Sequence, residues 1–307
     1  MMEFTKAVNN FKKHLVVEKG YSPLTIKEYT HDLKYLYQYL IDKCAYNKNF
    51  SVEEIGKYEL TDFLADIILV HDNSPVTRNR KLYSIRSFFK YLYNNELIDK
   101  NPTLTIEPSK TEIRTEPIYM KLVEARRYIE AIEKYNSINK TRDLAIAKLF
   151  LYAGLRVSEL VELNLDNIDF DNQSIKFFGK GNKERKLPLH IDVSNAINQY
   201  LTIRKENKIK NSKDLNALFL SRHGRRINVR SIQLMVKKYA KLAGIKNASN
   251  ITPHKLRHTF ASMLYYQTKD IKILQELLGH SNISTTQIYT HTDIEQKKQA
   301  IDKLPDL

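Results

Sequence analysis

The sequence predicts a mainly α protein with one small antiparallel sheet, an α+β chain of two domains, and three observations carry that prediction. Apolar residues recur at helical spacing through much of the chain, and several of these runs open on Ser-Pro or Thr-Pro. Residues 168–189 are instead rich in β-formers and are broken by the turn runs Asp171-Asn172 and Gly179-Lys180-Gly181-Asn182-Lys183. Between the two halves, residues 106–117 hold Pro108 and Pro117, few apolar residues and no helical period, as an extended linker would. We therefore expect a helical domain over 1–106, a linker over 107–117 and a second domain over 118–307. With 307 residues, 42% of them hydrophobic, the chain can fill two cores but not three.

In the first domain an amphipathic helix starts almost at Met1. Ser22-Pro23 then sets an N-cap and first-turn proline for a helix with Ile26, Tyr29, Leu33, Leu36, Tyr37 and Leu40 on one side. Ser74-Pro75 does the same for a helix that buries Leu82, Ile85, Phe88, Phe89 and Leu92. This second helix carries Arg78, Arg80, Lys81, Arg86 and Lys90, with no Asp or Glu from Val76 to Asn95. It reads equally as a DNA-facing helix and as an ordinary solvated basic face.

In the second domain, Leu144 to Tyr152 is an apolar helix that Gly154 can end in the left-handed conformation, and Ser158 can cap the next helix through Leu163. Arg156 is thereby held in a turn between two helices. Ile168 to Phe170, Ile175 to Phe178 and Lys186 to Leu189 form a three-stranded meander whose second turn presents Lys180 between glycines. Arg225 and Arg226 precede a helix with Ile232, Met235, Val236 and Tyr239 inside and Arg230, Lys237 and Lys238 around it, a second surface that could meet DNA. Thr252-Pro253 starts a helix with His254 and Arg257 on one face. Ile271 to Leu278 makes another, ended by Gly279, and Ser284-Thr285-Thr286 starts a short helix that carries Tyr289.

Charge narrows the partner. The net charge is +15 and the pI about 9.5, which calls for a polyanion, with nucleic acid favoured over a membrane surface. The first 106 residues carry 15 Lys and Arg against 13 Asp and Glu, the rest 35 against 22, so the excess lies in the second domain. No window resembles a membrane span or signal peptide, and the single Cys44, read as a small helix-buried side chain, excludes an internal disulfide and fits a reducing cytoplasm. His254, Arg257, His280 and Tyr289 suit metal-free attack on a phosphodiester: a phenol as nucleophile, cationic donors for the charge that builds on the phosphate.

Four phrases carry a resemblance. They are Ala153-Gly154-Leu155-Arg156-Val157-Ser158-Glu159-Leu160, Gly179-Lys180-Gly181-Asn182-Lys183-Glu184-Arg185, His254-Lys255-Leu256-Arg257-His258, and Leu277-Leu278-Gly279-His280 followed by Ser284 to Tyr289. In order and phrasing the chain resembles a tyrosine recombinase of the lambda-integrase family, and in length the bacterial Xer recombinases. The resemblance implies a helical, SAM-like core-binding domain ahead of a tyrosine-recombinase catalytic domain. It implies that Arg156 and Arg257 grip the scissile phosphate with help from His280, that Tyr289 attacks to give a 3′-phosphotyrosyl link, that His254 takes the Tyr proton and that Lys180 protonates the leaving 5′-oxygen. An unperturbed Tyr has a pKa of about 10, so only about one part in a thousand is phenolate at neutral pH, and a base is needed. Glu159 would support these cations, or serve only as a helix-start carboxylate, while His258 and His291 are read as structural.

The resemblance further implies no nucleotide cofactor and no metal, since the covalent link keeps the bond energy. It implies duplex DNA at specific sites as partner, a Holliday junction, and a homo- or hetero-tetramer joined through a last helix capped by Asp293, with an accessory protein as a further partner. The start at Met1 leaves no room for the arm-binding domain of lambda-type integrases, so we expect a short-site recombinase, cytoplasmic and nucleoid-associated, in chromosome or plasmid dimer resolution. A mobile-element integrase, resolvase or invertase with the same chemistry stays open, as does a catalytically idle DNA-binding protein.

Overall fold

The computed structural model describes residues 2–70, 74–110, 119–178, 184–204, 209 and 214–279. Contacts divide the chain into two compact units, Met1–Ile113 and Arg114–Leu307. Among the described residues no helix is long and apolar enough to cross a membrane.

The first unit is built from α1 (Phe4–Val17), α2 (Pro23–Cys44), α3 (Lys57–Leu69) and α4 (Pro75–Asn94). Ser22 and Ser74 cap α2 and α4, each accepting from the backbone N–H of the threonine three residues on, with proline in the first turn. Leu33, Leu36 and Leu40 of α2 meet Leu82, Ile85, Phe88 and Phe89 of α4, and Phe4, Phe11 and Phe63 close the core from α1 and α3. Cys44, in the last turn of α2, is half-buried and free.

At the centre of this unit Asp32 is fully buried and accepts from Arg80 at 2.7 and 2.7 Å, from Lys81 at 3.1 Å and from Ser84 at 2.7 Å. This corrects the expectation for Lys81, which is itself buried and does not line an open basic face. The run from Val76 to Asn95 holds no acid because its acid comes from α2. Arg78 and Arg86 donate to the backbone carbonyls of Glu107 and Ile106, and Asn79 exchanges hydrogen bonds with Ser109, so the chain leaving α4 folds back along it.

The second unit centres on α6 (Lys140–Ala153), whose Ala145, Ile146, Ala147, Leu149 and Phe150 are all fully buried. A helix apolar all round must be covered all round. α5 (Leu122–Lys134), α8 (Ile191–Arg204) and α10 (Pro253–Thr268) pack against it. α7 (Val157–Glu162) leads into the sheet of β1 (Ile168–Asp169), β2 (Ser174–Phe178) and β3 (Glu184–Pro188), antiparallel in the order β1-β2-β3. The register pairs Ile168 with Ile175, Ile175 with Leu187 and Phe177 with Arg185, so these side chains share the inward face. α9 (Val229–Leu242) lies against α5 and α7, and α11 (Ile271–Leu278) packs on α10 through Phe260, Ala261, Leu274 and Leu278.

The cap of α7 differs from the expectation. Arg156, not Ser158, is the N-cap residue, and the Glu159 carboxylate accepts from its backbone N–H at 2.7 Å. A carboxylate three residues into a helix reaches this donor, which a hydroxyl already inside the first turn does not.

Candidate active site

Two glycines fix where the cationic side chains stand. α6 ends at Gly154, φ +59°, where a Cβ would lie 2.3 Å from the Phe260 ring, so the chain can turn there only without a side chain. That turn sets Arg156 at the mouth of α7, its side chain 37% exposed. α11 ends likewise at Gly279, φ +60°.

Between these turns three guanidinium groups from three elements surround one buried carboxylate. Glu159 Oε1 lies 2.7 Å from Arg156 Nη1 and 3.8 Å from Arg185 Nη1, and Oε2 lies 3.7 Å from Arg257 Nη1. Arg257, buried in the first turns of α10, donates to the Gly154 carbonyl at 2.5 Å and to the Leu278 carbonyl at 2.6 Å. Arg185 donates to Leu278 O at 2.9 Å and to Leu277 O, and its guanidinium lies 4.9 Å from the centre of the Phe177 ring. One carboxylate facing three cations leaves the cluster net positive, a standing field for an anion. Loss of hydration lowers the pKa of Arg185 and nearby Arg156 adds to this, while Glu159 opposes it.

His254 stands one turn before Arg257 on α10, three residues apart on one face as its spacing predicts. Its Nε2 is 2.8 Å from Nε2 of His258, the ring planes nearly perpendicular, so one imidazole donates to the other. Loss of hydration first, and then Lys255, Arg257 and Arg156, push the His254 pKa below 6.5. The imidazole is therefore neutral near pH 7, the form that can accept a proton.

The structure thus brings together Arg156, Glu159, Arg257 and His254, which the sequence separates by about a hundred positions. Lys180, His280, Tyr289, His291 and the helix expected after Asp293 lie outside the described residues. Sequence reasoning assigns Arg185 no role beyond its place in the phrase from Gly179 to Arg185. Its signal was the two-residue period that places it on the same inward strand face as Leu187, an unusual register for a cation.

Of the residues expected at DNA, Arg225, Arg230, Lys237 and Lys238 are exposed, Lys238 lying 3.9 Å over the Tyr135 ring. Arg142, Arg222, His223, Arg225 and Asn228 line a cleft of about 740 Å³ at the start of α9. Arg226 is turned inward, donating to the Val161 and Leu163 carbonyls and to Asn164 Oδ1, a correction to its reading as a surface contact. In the first unit Arg80 remains 44% exposed although it grips Asp32, while Arg78 and Arg86 are committed to backbone carbonyls.

The model of the phage integrase family matches residues 119–296, and that of the phage integrase N-terminal SAM-like domain matches residues 8–96. The chain belongs to the phage integrase family. A tyrosine recombinase XerC of Caldanaerobacter subterraneus subsp. tengcongensis is 39% identical over 320 positions, covering 99% of this chain and 88% of that protein. A tyrosine recombinase XerD of Oceanobacillus iheyensis is 34% identical, covering 95% and 94%. Among solved structures, the Tn1549 transposon integrase in complex with a circular intermediate DNA superposes with a TM-score of 0.76 over 99% of this chain and 100% of that one, at 22% identity, and so shares the fold. The enzyme is a site-specific tyrosine recombinase, a transesterase that exchanges DNA strands.

Proposed function

We propose that the cluster around Glu159 is the phosphate-binding half of the strand-exchange site and that Tyr289 is its nucleophile. The observation that carries this reading is the convergence of Arg156 and Arg257 on one carboxylate beside a neutral imidazole, His254. Arg156 and Arg257 each present a guanidinium, whose planar fork of N–H donors matches the geometry of phosphate oxygens. These donors take the non-bridging oxygens of the scissile phosphate, and each such preorganised contact contributes roughly a hundred-fold or more to the rate. His280 adds a further hydrogen bond.

In the first step the Tyr289 phenolic oxygen bonds to phosphorus, and the bond from phosphorus to the 5′-oxygen breaks. His254 receives the phenol proton and Lys180 gives one to the 5′-oxygen, leaving a 3′-phosphotyrosyl link and a free 5′-hydroxyl. The 5′-hydroxyl of a partner strand then attacks the link in reverse, releasing Tyr289. Charge stabilisation comes from guanidinium groups throughout, and the covalent link conserves the energy of the phosphodiester.

The partner is duplex DNA, reached through the exposed Arg225, Arg230, Lys237 and Lys238 and held as a tetramer on two sites through the segment after Asp293. The role is of Xer type, resolution of chromosome or plasmid dimers in the cytoplasm at the nucleoid, with an accessory protein as activator. The relatives named XerC and XerD, matched along nearly the whole chain, support it.

The test begins with the Tyr289→Phe chain, used to enrich a pool of random duplexes for the sequence it retains. That sequence is rebuilt as a nicked suicide duplex and incubated with the native chain. Covalent protein on the 3′ side supports the proposal; tight binding with no adduct overturns it.

A further inference from the structure

The carbonyls at the end of α11 have an unusual set of partners. A helix leaves its last carbonyls without partners inside itself, and its C-terminus favours a cation. α11 is eight residues long and carries no basic residue in its last turn. The Gly279 N–H turns back to the Gln275 and Glu276 carbonyls, and the next two carbonyls, of Leu277 and Leu278, are taken by guanidinium groups from elsewhere in the unit.

Arg185 takes both carbonyls, shares Leu278 O with Arg257 and approaches Glu159 Oε1 at 3.8 Å. Its side chain is 16% exposed, between Arg156 at 37% and Arg257 at 4%, so what sets it apart is its partners: it alone of the three holds both the Leu277 and the Leu278 carbonyl. The Phe177 ring holds its plane, and Gly279 lies flat against it: a Cβ there would sit 2.5 Å from the guanidinium carbon. The glycine therefore does two things, accepting φ +60° and leaving room for the arginine.

We propose that Arg185 is a positioning residue for DNA cleavage, tying the end of α11 to the Glu159 carboxylate and so fixing where the chain departs towards His280 and Tyr289. The inference rests on the reading of the reaction given above. Arg156 and Arg257 meet the phosphate, and Arg185 meets only protein. It acts by locking the α11 terminus to the carboxylate that holds the other two cations, so the phosphate clamp and the segment bearing the nucleophile share one anchor.

The test is single-turnover adduct formation on the nicked suicide duplex by the full chain. Arg185→Ala should slow it roughly a hundred-fold, as a small misplacement of a reacting group does. Affinity for the intact duplex, measured in the Tyr289→Phe background, should stay within about twofold, because binding does not use the lock. Added guanidinium chloride at millimolar level should restore part of the Arg185→Ala rate. Gly279→Asn, which tolerates φ near +60° but adds a Cβ against the guanidinium, should slow the native chain by displacing Arg185, yet add little on top of Arg185→Ala, a non-additivity expected of groups that act through one another. If Arg185→Ala fails to fold, Arg185→Lys serves: it keeps the charge but loses the planar fork that reaches the Leu277 and Leu278 carbonyls and Glu159 together, and it too should cleave slowly. Variants that cleave at the native rate, or that lose rate only in proportion to DNA binding with no rescue and additive effects, overturn the positioning role alone. A native chain that forms no adduct overturns the reading of the reaction instead.

Discussion

Arg156 and Glu159 hold each other twice, through the Arg156 backbone N–H on one carboxylate oxygen and its Nη1 on the other, each at 2.7 Å. The first bond starts α7 and the second aims the guanidinium. One residue therefore sets both the helix start and the direction of the guanidinium, and its loss should disturb the two together.

Glu159→Ala should cost about 3 kcal/mol of stability, since it uncaps α7 and leaves Arg257 buried without its counter-charge. Glu159→Gln keeps an acceptor for the Arg156 N–H and should cost about half as much, while still slowing cleavage. Urea denaturation read beside adduct formation separates the two effects; equal stability for both variants would mean the charge does not matter.

Gly154→Ala combines a left-handed backbone with a Cβ 2.3 Å from a ring carbon of Phe260. The strain and the overpacking together should destabilise the catalytic unit by about 2 to 4 kcal/mol. Phe260→Leu should recover part of this by making room, which thermal melting of the double variant would reveal.

The pH dependence follows from His254. Its folded pKa lies below 6.5, so the unfolded chain takes the proton first as pH falls, and this group's contribution to stability is lost on acidification through that range. Above 6.5 it contributes no further pH dependence. Cleavage should rise with pH along a limb whose midpoint lies below 6.5 and be level by neutrality; a limb centred well above 7 would remove His254 as the base.

The basic residues should divide by where the structure places them. Arg230→Ala should weaken DNA binding and reduce the slope of log affinity against log salt by about 0.9, the release for one phosphate. Lys81→Met should leave that slope unchanged, and Asp32→Ala should destabilise the first unit by about 3 to 5 kcal/mol by stranding Lys81 in the core. A salt slope that changes with Lys81 would return it to the DNA surface.

What the sequence made legible is what depends on near neighbours. The starts at Ser22, Ser74 and Thr252 are visible because a cap and its donor lie three residues apart, and the ends at Gly154 and Gly279 because only glycine enters φ near +60° at no cost. The acid that removes Lys81 from the surface lies 49 residues earlier, on another helix, and no local pattern marks it. Arg185 stayed hidden for a different reason: its partners at the α11 terminus are backbone carbonyls, which have no sequence signature. Ser158 is not the cap because the Glu159 carboxylate reaches the Arg156 N–H from inside the helix.

If Tyr289 is the nucleophile, it becomes covalently joined to a DNA 3′-phosphate. The most direct measurement digests the adduct trapped on the nicked suicide duplex with protease and nuclease and locates the modified residue by mass spectrometry. The expected product is a peptide in which Tyr289 carries a 3′-linked phosphonucleotide, absent from Tyr289→Phe. A phosphonucleotide on any other residue, or a 5′ linkage, would contradict it.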